Sequence, residues 1–210
     1  MANVRLSVIS SFYKHYSDVC DAANENYDKA VKEANSNMNT NSKAYLDTVA
    51  AAKAQRDGLI KAAQDEGYAK AMDALNETRE AVREFVTAPV PDNFTNTVTA
   101  LTLIEKPSQS EVDDIMSRFA SNYLAYRAIC NAIGGKASHE VYKAFPVDSI
   151  YAELDELEKY IIRAFDVHGG MDSYTKALLY RGALVKHYDE IVTAFCSAKW
   201  RELAEINSEE

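Results

Sequence analysis

Four histidines are the first place to look for chemistry in this 210-residue chain: His15, His139, His168 and His187. A di-iron carboxylate bundle needs Glu-x-x-His pairs, because a carboxylate and an imidazole one helical turn apart can converge on one metal in a helical core. The residues three positions before these histidines are Phe12, Lys136, Phe165 and Leu184. None is Glu, so that centre is excluded in its usual form. "DVHGGMD", Asp166–Asp172, sets two carboxylates around His168. Such a cluster can serve as a general base or a metal site, but its composition also suits a polar turn between helices, which is the expectation here. His15 with Asp18, and His187 with Glu190, are i,i+3 pairs of the kind found on helix surfaces.

Other chemistry is equally thin. The chain holds no HExxH, no EF-hand loop and no Walker A sequence. "AIGGKAS", Ala132–Ser138, has a glycine pair before a lysine, yet it follows a helical pattern and lacks the phosphate-loop spacing. Cys20, Cys130 and Cys196 form no CxxC pair and sit within apolar helical patterns, where a free thiol behaves as a small hydrophobe. Three scattered cysteines fit a reducing compartment, so a cytoplasmic location is expected. No Ser, Cys or Thr stands in a recognisable nucleophile motif. The expectation is a non-enzyme with no cofactor and no metal.

The elements that would position these residues are helical. Only 7 Gly and 4 Pro interrupt the chain, which favours long helices over a many-turned β protein. Ile9, Tyr13, Tyr16, Cys20, Ala23, Tyr27, Ala30 and Ala34 recur at alternating steps of four and three. That spacing keeps one seam on one face, so a long helix is predicted from about Ala2 to Asn35. "NSNMNTNS", Asn35–Ser42, has the Asn and Ser content of a turn. A second long helix is predicted from about Ser42 to Thr87, with a bend near Gly58 and Gly67, before Pro89 and Pro91 end it. Residues 1–88 thus read as an antiparallel helical hairpin and residues 89–107 as a connector carrying a short helix. Residues 108–210 read as a compact helical bundle. The fold class expected is all-α: a long antiparallel, coiled-coil-like hairpin followed by a bundle.

Within that bundle, "KPSQSEVDDIMSRFASNYLAYRAICNAIGG" reads as one helix. Ser108 with Glu111, and Ser110 with Asp113, match the capping-box logic, and Gly134 and Gly135 end the pattern. A helix from about Val147 to Val167 and a helix or helix pair from about Ser173 to Ile206 follow. In the latter, Leu184, Tyr188, Ile191, Phe195 and Leu203 share a face with Trp200 beside them.

Net charge is −9, with the acid excess spread evenly along the chain and no basic patch or tail. Direct nucleic-acid binding is therefore not expected. No run approaches the ~20 apolar residues that span a bilayer, and no signal-peptide core is present, so no membrane association is expected. With 13 Tyr against 1 Trp, tyrosines are the natural candidates for partly wet contact faces. Tyr13, Tyr16 and Tyr27 on the first seam, with Asn122, Tyr126 and Arg127, are the candidate interaction residues.

The pattern P-S-x-S-E … I-M … F-x-S-N-Y-x-A-x-R-A-I resembles segments of small helical proteins encoded by phages and prophages of Gram-positive bacteria. It is carried here by Glu111, Ile115, Met116, Phe119, Asn122, Tyr123, Arg127 and Ile129. The resemblance covers about twenty residues and implies a phage-type setting, in a host cytoplasm, without carrying over an activity or a site. The function expected is protein–protein interaction or assembly, with a protein partner or by self-association. Two alternatives stand beside it. One is an inhibitor of a bacterial defence nuclease that presents an acidic helical surface. The other is a helical enzyme with an unrecognised site, for which a deep pocket lined by His168 and nearby acids would speak.

Overall fold

The computed structural model describes residues 5–133, 145–166, 171–200 and 203. Among them the chain is all-α, with eight helices and no strand. His139, His168, the glycine pairs 134–135 and 169–170, and the C-terminal "INSEE" lie outside the described residues.

The first helix, α1 (Val8–Asn37), buries Ile9, Tyr13, Tyr16, Ala23 and Ala34, all members of the expected seam. It stops where Met38 turns extended, at φ −131° and ψ 151°. The Asn/Ser segment then makes the turn: the Ser42 N–H donates to the Asn39 carbonyl at 2.8 Å, and the Tyr45 N–H donates to Ser42 Oγ at 3.2 Å, capping the next helix. This is α2 (Lys43–Val86), which ends before Pro89. Three contacts fix the direction of the pair. Thr48 meets Met38, Arg56 lies over Tyr27 and Lys70 lies over Phe12, so numbers rise along α2 as they fall along α1. The two helices run antiparallel.

Pro89 and Pro91 end a helix, as expected, but the chain's two compact units do not part there. They part between Arg5 and Leu6, ahead of α1, and inside helices between Leu75 and Asn76, between Glu156 and Leu157, and between Lys186 and His187. One unit, the hairpin unit, holds residues 6–75 and 157–186; the other, the bundle unit, holds residues 1–5, 76–156 and 187–210.

In the hairpin unit, the C-terminal part of α6 (Val147–Ala164) and α7 (Ser173–Tyr180) join α1 and α2. Leu157, Ile161, Ala164, Phe165 and Leu179 are buried there with Leu6, Ile9, Ala71 and Leu75. Phe165 is the hub: its ring lies 5.8 Å from Tyr13, 5.3 Å from Tyr16 and 6.4 Å from Tyr68. Gly67 explains how α2 comes so near. A Cβ at Gly67 would stand 2.5 Å from Phe165 Cε1, whereas one at Gly58 would meet nothing within 4 Å. Gly67 is thus a close-approach residue within a helix that runs unbroken across it. Gly182 ends the short α7 segment at φ +77°, where a side chain is disfavoured.

The bundle unit contains the last turns of α2, α3 (Phe94–Leu103), α4 (Gln109–Phe119), α5 (Tyr123–Ile133), the start of α6 and most of α8 (Ala183–Cys196). Its core joins Leu101, Val112, Met116, Phe119, Ala125 and Ile129. The Ser108/Glu111 capping box is fully formed: the Ser108 N–H donates to Glu111 Oε2 at 2.7 Å, and the Glu111 N–H donates to Ser108 Oγ at 3.4 Å. The helix it starts is shorter than expected. It stops at Phe119, and a second helix starts at Tyr123. Two side chains make the break. Trp200 Nε1 donates to the Ala120 carbonyl at 3.1 Å, occupying the acceptor that a continuous helix would offer to Leu124. Asn122 Oδ1 accepts the Ala125 N–H at 2.9 Å, which is an N-cap bond for a new helix.

Candidate functional site

The described residues of the hairpin unit enclose an open groove of about 780 Å³. One wall comes from α1, through Tyr13, Tyr16, Cys20 and Asn24; the other comes from α2, through Arg56, Ile60, Lys61 and Gln64. Ala164, Asp166 and Lys176 close it. The walls are set by helix register: positions 13, 16, 20 and 24 fall on one face of α1, and 56, 60 and 64 on one face of α2. Gln64 Nε2 donates to the Phe165 carbonyl at 2.5 Å, which ties α2 to the chain just past α6.

The groove mixes aromatic and charged groups. Tyr13 is 5 % exposed and Tyr16 is 8 % exposed. Burial raises both phenol pKa values, so both stay protonated at neutral pH. Burial likewise pushes the Cys20 thiol up, outweighing the Tyr16 hydrogen bond and the nearby Lys176 charge that pull it down. The thiol is therefore a poor nucleophile. Arg56 lies 4.5 Å from the Tyr27 ring centre and 2.7 Å from Asp57, a cation held between a π face and a carboxylate. A second cavity, of about 450 Å³ in the bundle unit, is lined by Ala81, Phe85, Ser121 and Cys196 among others. Burial pushes the Cys196 thiol up to about 12, which leaves no thiolate there at neutral pH.

The six candidate interaction residues fall into two groups. Tyr13 and Tyr16 line the groove, and Tyr27 sits against Arg56 at its rim. Asn122, Tyr126 and Arg127 belong to the bundle unit. Asn122 is 9 % exposed; besides capping α5, its Nδ2 donates to the Pro89 carbonyl at 2.9 Å. Tyr126 is buried and stacks on Trp200 at 4.7 Å. Both are engaged in holding the bundle unit together, and of the three Arg127 is the one whose side chain is exposed. Gln64 and Lys176 are groove residues that spacing did not point to, and neither carries a local signal. Phe165 reads as one more apolar residue of its helix, and its ring packs against Tyr13 and Tyr16 of the groove wall.

A different feature sets the hairpin apart. Between residues 24 and 62 a single side chain, Ala34, is buried. Tyr27, Val31, Tyr45, Val49 and Ile60 are half-buried, and Leu46 and Leu59 are 58 % and 46 % exposed. Along this stretch Thr48 meets Met38 and Arg56 lies over Tyr27.

Among the described residues, no group of three or more His, Cys, Asp or Glu is arranged to hold a metal ion. No described helix is long and apolar enough to cross a membrane. Comparison with protein-family models, with curated proteins and with solved structures finds no match for this chain.

Proposed function

We propose that this chain is a non-enzymatic helical interaction protein that docks on another protein, or assembles with itself, through the hairpin unit. The observation that carries the reading is the stretch from residue 24 to residue 62, where two helices of several turns bury Ala34 and nothing else completely. Helices in water owe most of their stability to a buried apolar face rather than to intrinsic propensity. An arm with so little burial gains stability when a partner covers it, and exposed Leu46 and Leu59 offer apolar contact on α2. Salt bridges support protein contact over polyanion mimicry. Glu25, Glu66, Asp65 and Asp114 each hold a Lys or Arg one helical turn away, so part of the acidic charge on these helices is balanced locally. The setting is proposed to be a phage or prophage, on the strength of the short pattern around Glu111–Ile129; a cytoplasmic location belongs to the same proposal.

The test is a charge-insertion variant, Leu46→Glu with Leu59→Glu, which changes exposed positions and leaves the core untouched. Light scattering over a wide concentration range, with cross-linking in extracts of a candidate host, should show an assembly or a discrete complex for the natural chain. The variant should lose it. A natural chain that stays monomeric and cross-links to nothing would contradict the reading.

A further inference from the structure

Resting on that reading of an interaction protein, we propose that the groove of the hairpin unit binds an acidic peptide segment of the partner, with Lys176 as its charge anchor and the Tyr13 hydroxyl as a hydrogen-bond donor. Three observations converge. First, Lys176 lines the groove, is only partly exposed, and has no carboxylate within ion-pair distance among the described residues. A lining cation without a counter-ion is a natural contact for an incoming carboxylate.

Second, the Tyr13 hydroxyl has no hydrogen-bond partner among the described residues, although the side chain is 95 % covered. Among the described residues no fully enclosed side-chain oxygen is left without a partner, so this oxygen keeps an opening to solvent. Tyr13 lines the groove and so brings to it a hydroxyl whose donor is unused among the described residues.

Third, the local charge runs against that of the whole molecule. The chain carries −9, whereas the groove lining sets Arg56, Lys61 and Lys176 against Asp57 and Asp166; Arg56 pairs with Asp57 and Lys61 with Asp65, so Lys176 is the lining cation left without an ion pair among the described residues. Asp57 is taken up by Arg56 at 2.7 Å. A long polyanion such as a nucleic acid would meet the net negative charge of the whole chain. A short acidic peptide reaches the cations while its remaining length stays clear. The volume, about 780 Å³, is in the range that holds several side chains of a ligand.

The probe is an N-acetylated, C-amidated tetraglutamate peptide, titrated into the full chain at low salt and followed by NMR. Expected are saturable shifts at Tyr13, Cys20 and Lys176, at least a fivefold loss of affinity in Lys176→Gln, and a smaller, roughly two- to fivefold loss in Tyr13→Phe, the size of one hydrogen bond. Lys53→Gln removes the same charge from an exposed α2 position outside the groove and should change affinity by less than twofold. Melting curves confirm that each variant folds; Tyr13→Phe keeps the ring that packs on Phe165. Equal losses in Lys176→Gln and Lys53→Gln would overturn the proposal, since attraction would then be diffuse. Inorganic phosphate shifting the same groove signals at the same concentrations, or a single-stranded oligonucleotide binding there more tightly, would overturn the peptide assignment. No binding of the probe removes the groove but leaves the interaction reading standing. That reading falls on the separate result that neither assembly nor a cross-linked complex exists.

Discussion

The two glycines of α2 lie nine residues apart and do opposite things. At Gly67 the helix is pressed against Phe165 so closely that a methyl group has no room. At Gly58 the same helix faces open space. The contrast holds for their surroundings. Around Gly67, α1, α2, Phe165 and α7 bury a continuous aromatic and aliphatic core; around Gly58, no side chain of α2 from residue 43 to residue 62 is fully buried. One helix thus passes from a packed region, where shape is over-determined, into an arm where stability rests on a single seam. The lesson is that an identical residue in an identical secondary structure is a packing device in one place and an unfilled position in the other. The local sequence does not distinguish them.

Removing the hub should have the largest effect. Phe165→Ala deletes the ring shared by Tyr13, Tyr16 and Tyr68, and is expected to cost about 3–5 kcal/mol in chemical denaturation. A loss below about 1 kcal/mol would show that the aromatic cluster is not the core of this unit. Gly67→Ala comes next, at about 1–3 kcal/mol of destabilisation, because the Phe165 ring and its helix must shift to admit the methyl. Gly58→Ala should have the opposite sign, raising stability by up to about 1 kcal/mol through helix propensity alone. If both glycine variants moved the melting temperature in the same direction, the contrast between the two regions would be wrong.

Much of the arm was legible in the residues. The 4–3 spacing of Ile9 through Ala34 marked α1 to within a few residues at its C-terminal end, and the Asn/Ser turn placed the start of α2 to within one residue. These signals are local, so a local reading finds them. The places where that reading fell short depend on residues far away in sequence. The break between α4 and α5 is made by Trp200, 80 residues beyond the Ala120 carbonyl it holds. Asn122 and Tyr126 were read as groups free to meet a partner, and distant contacts to Pro89 and Trp200 take up both. The groove combines Tyr13 and Tyr16, which periodicity did mark, with Gln64 and Lys176, which become neighbours only through tertiary packing.

The smallest expected effect is on pH. Glu111 and Asp172 have pKa values lowered in the folded chain by hydrogen bonds to Ser108 and Thr175, respectively. A lowered folded-state pKa means that the contribution is present above the unfolded-state value and is lost as pH falls through the folded one. Both carboxylates are exposed, so the loss is a shallow decline confined to the acid side of the ordinary carboxylate range. Asp172→Asn and Glu111→Gln should each flatten that decline in acid-titrated melting curves. Unchanged slopes in both would mean that the caps add no pH-dependent stability. Asp172→Asn probes the α7 cap in the hairpin unit and Glu111→Gln the α4 cap in the bundle unit.

Hydrogen exchange of the isolated chain, read residue by residue along α1 and α2, tests the central contrast most directly. Amides from residue 24 to residue 37 and from residue 43 to residue 62 should exchange through local opening, at free energies well below that of global unfolding. Amides of residues 9–20 and 63–75 should exchange only when the whole unit opens. Uniform protection along both helices, equal to the global stability, would contradict the account, because the arm would then need no partner to complete it.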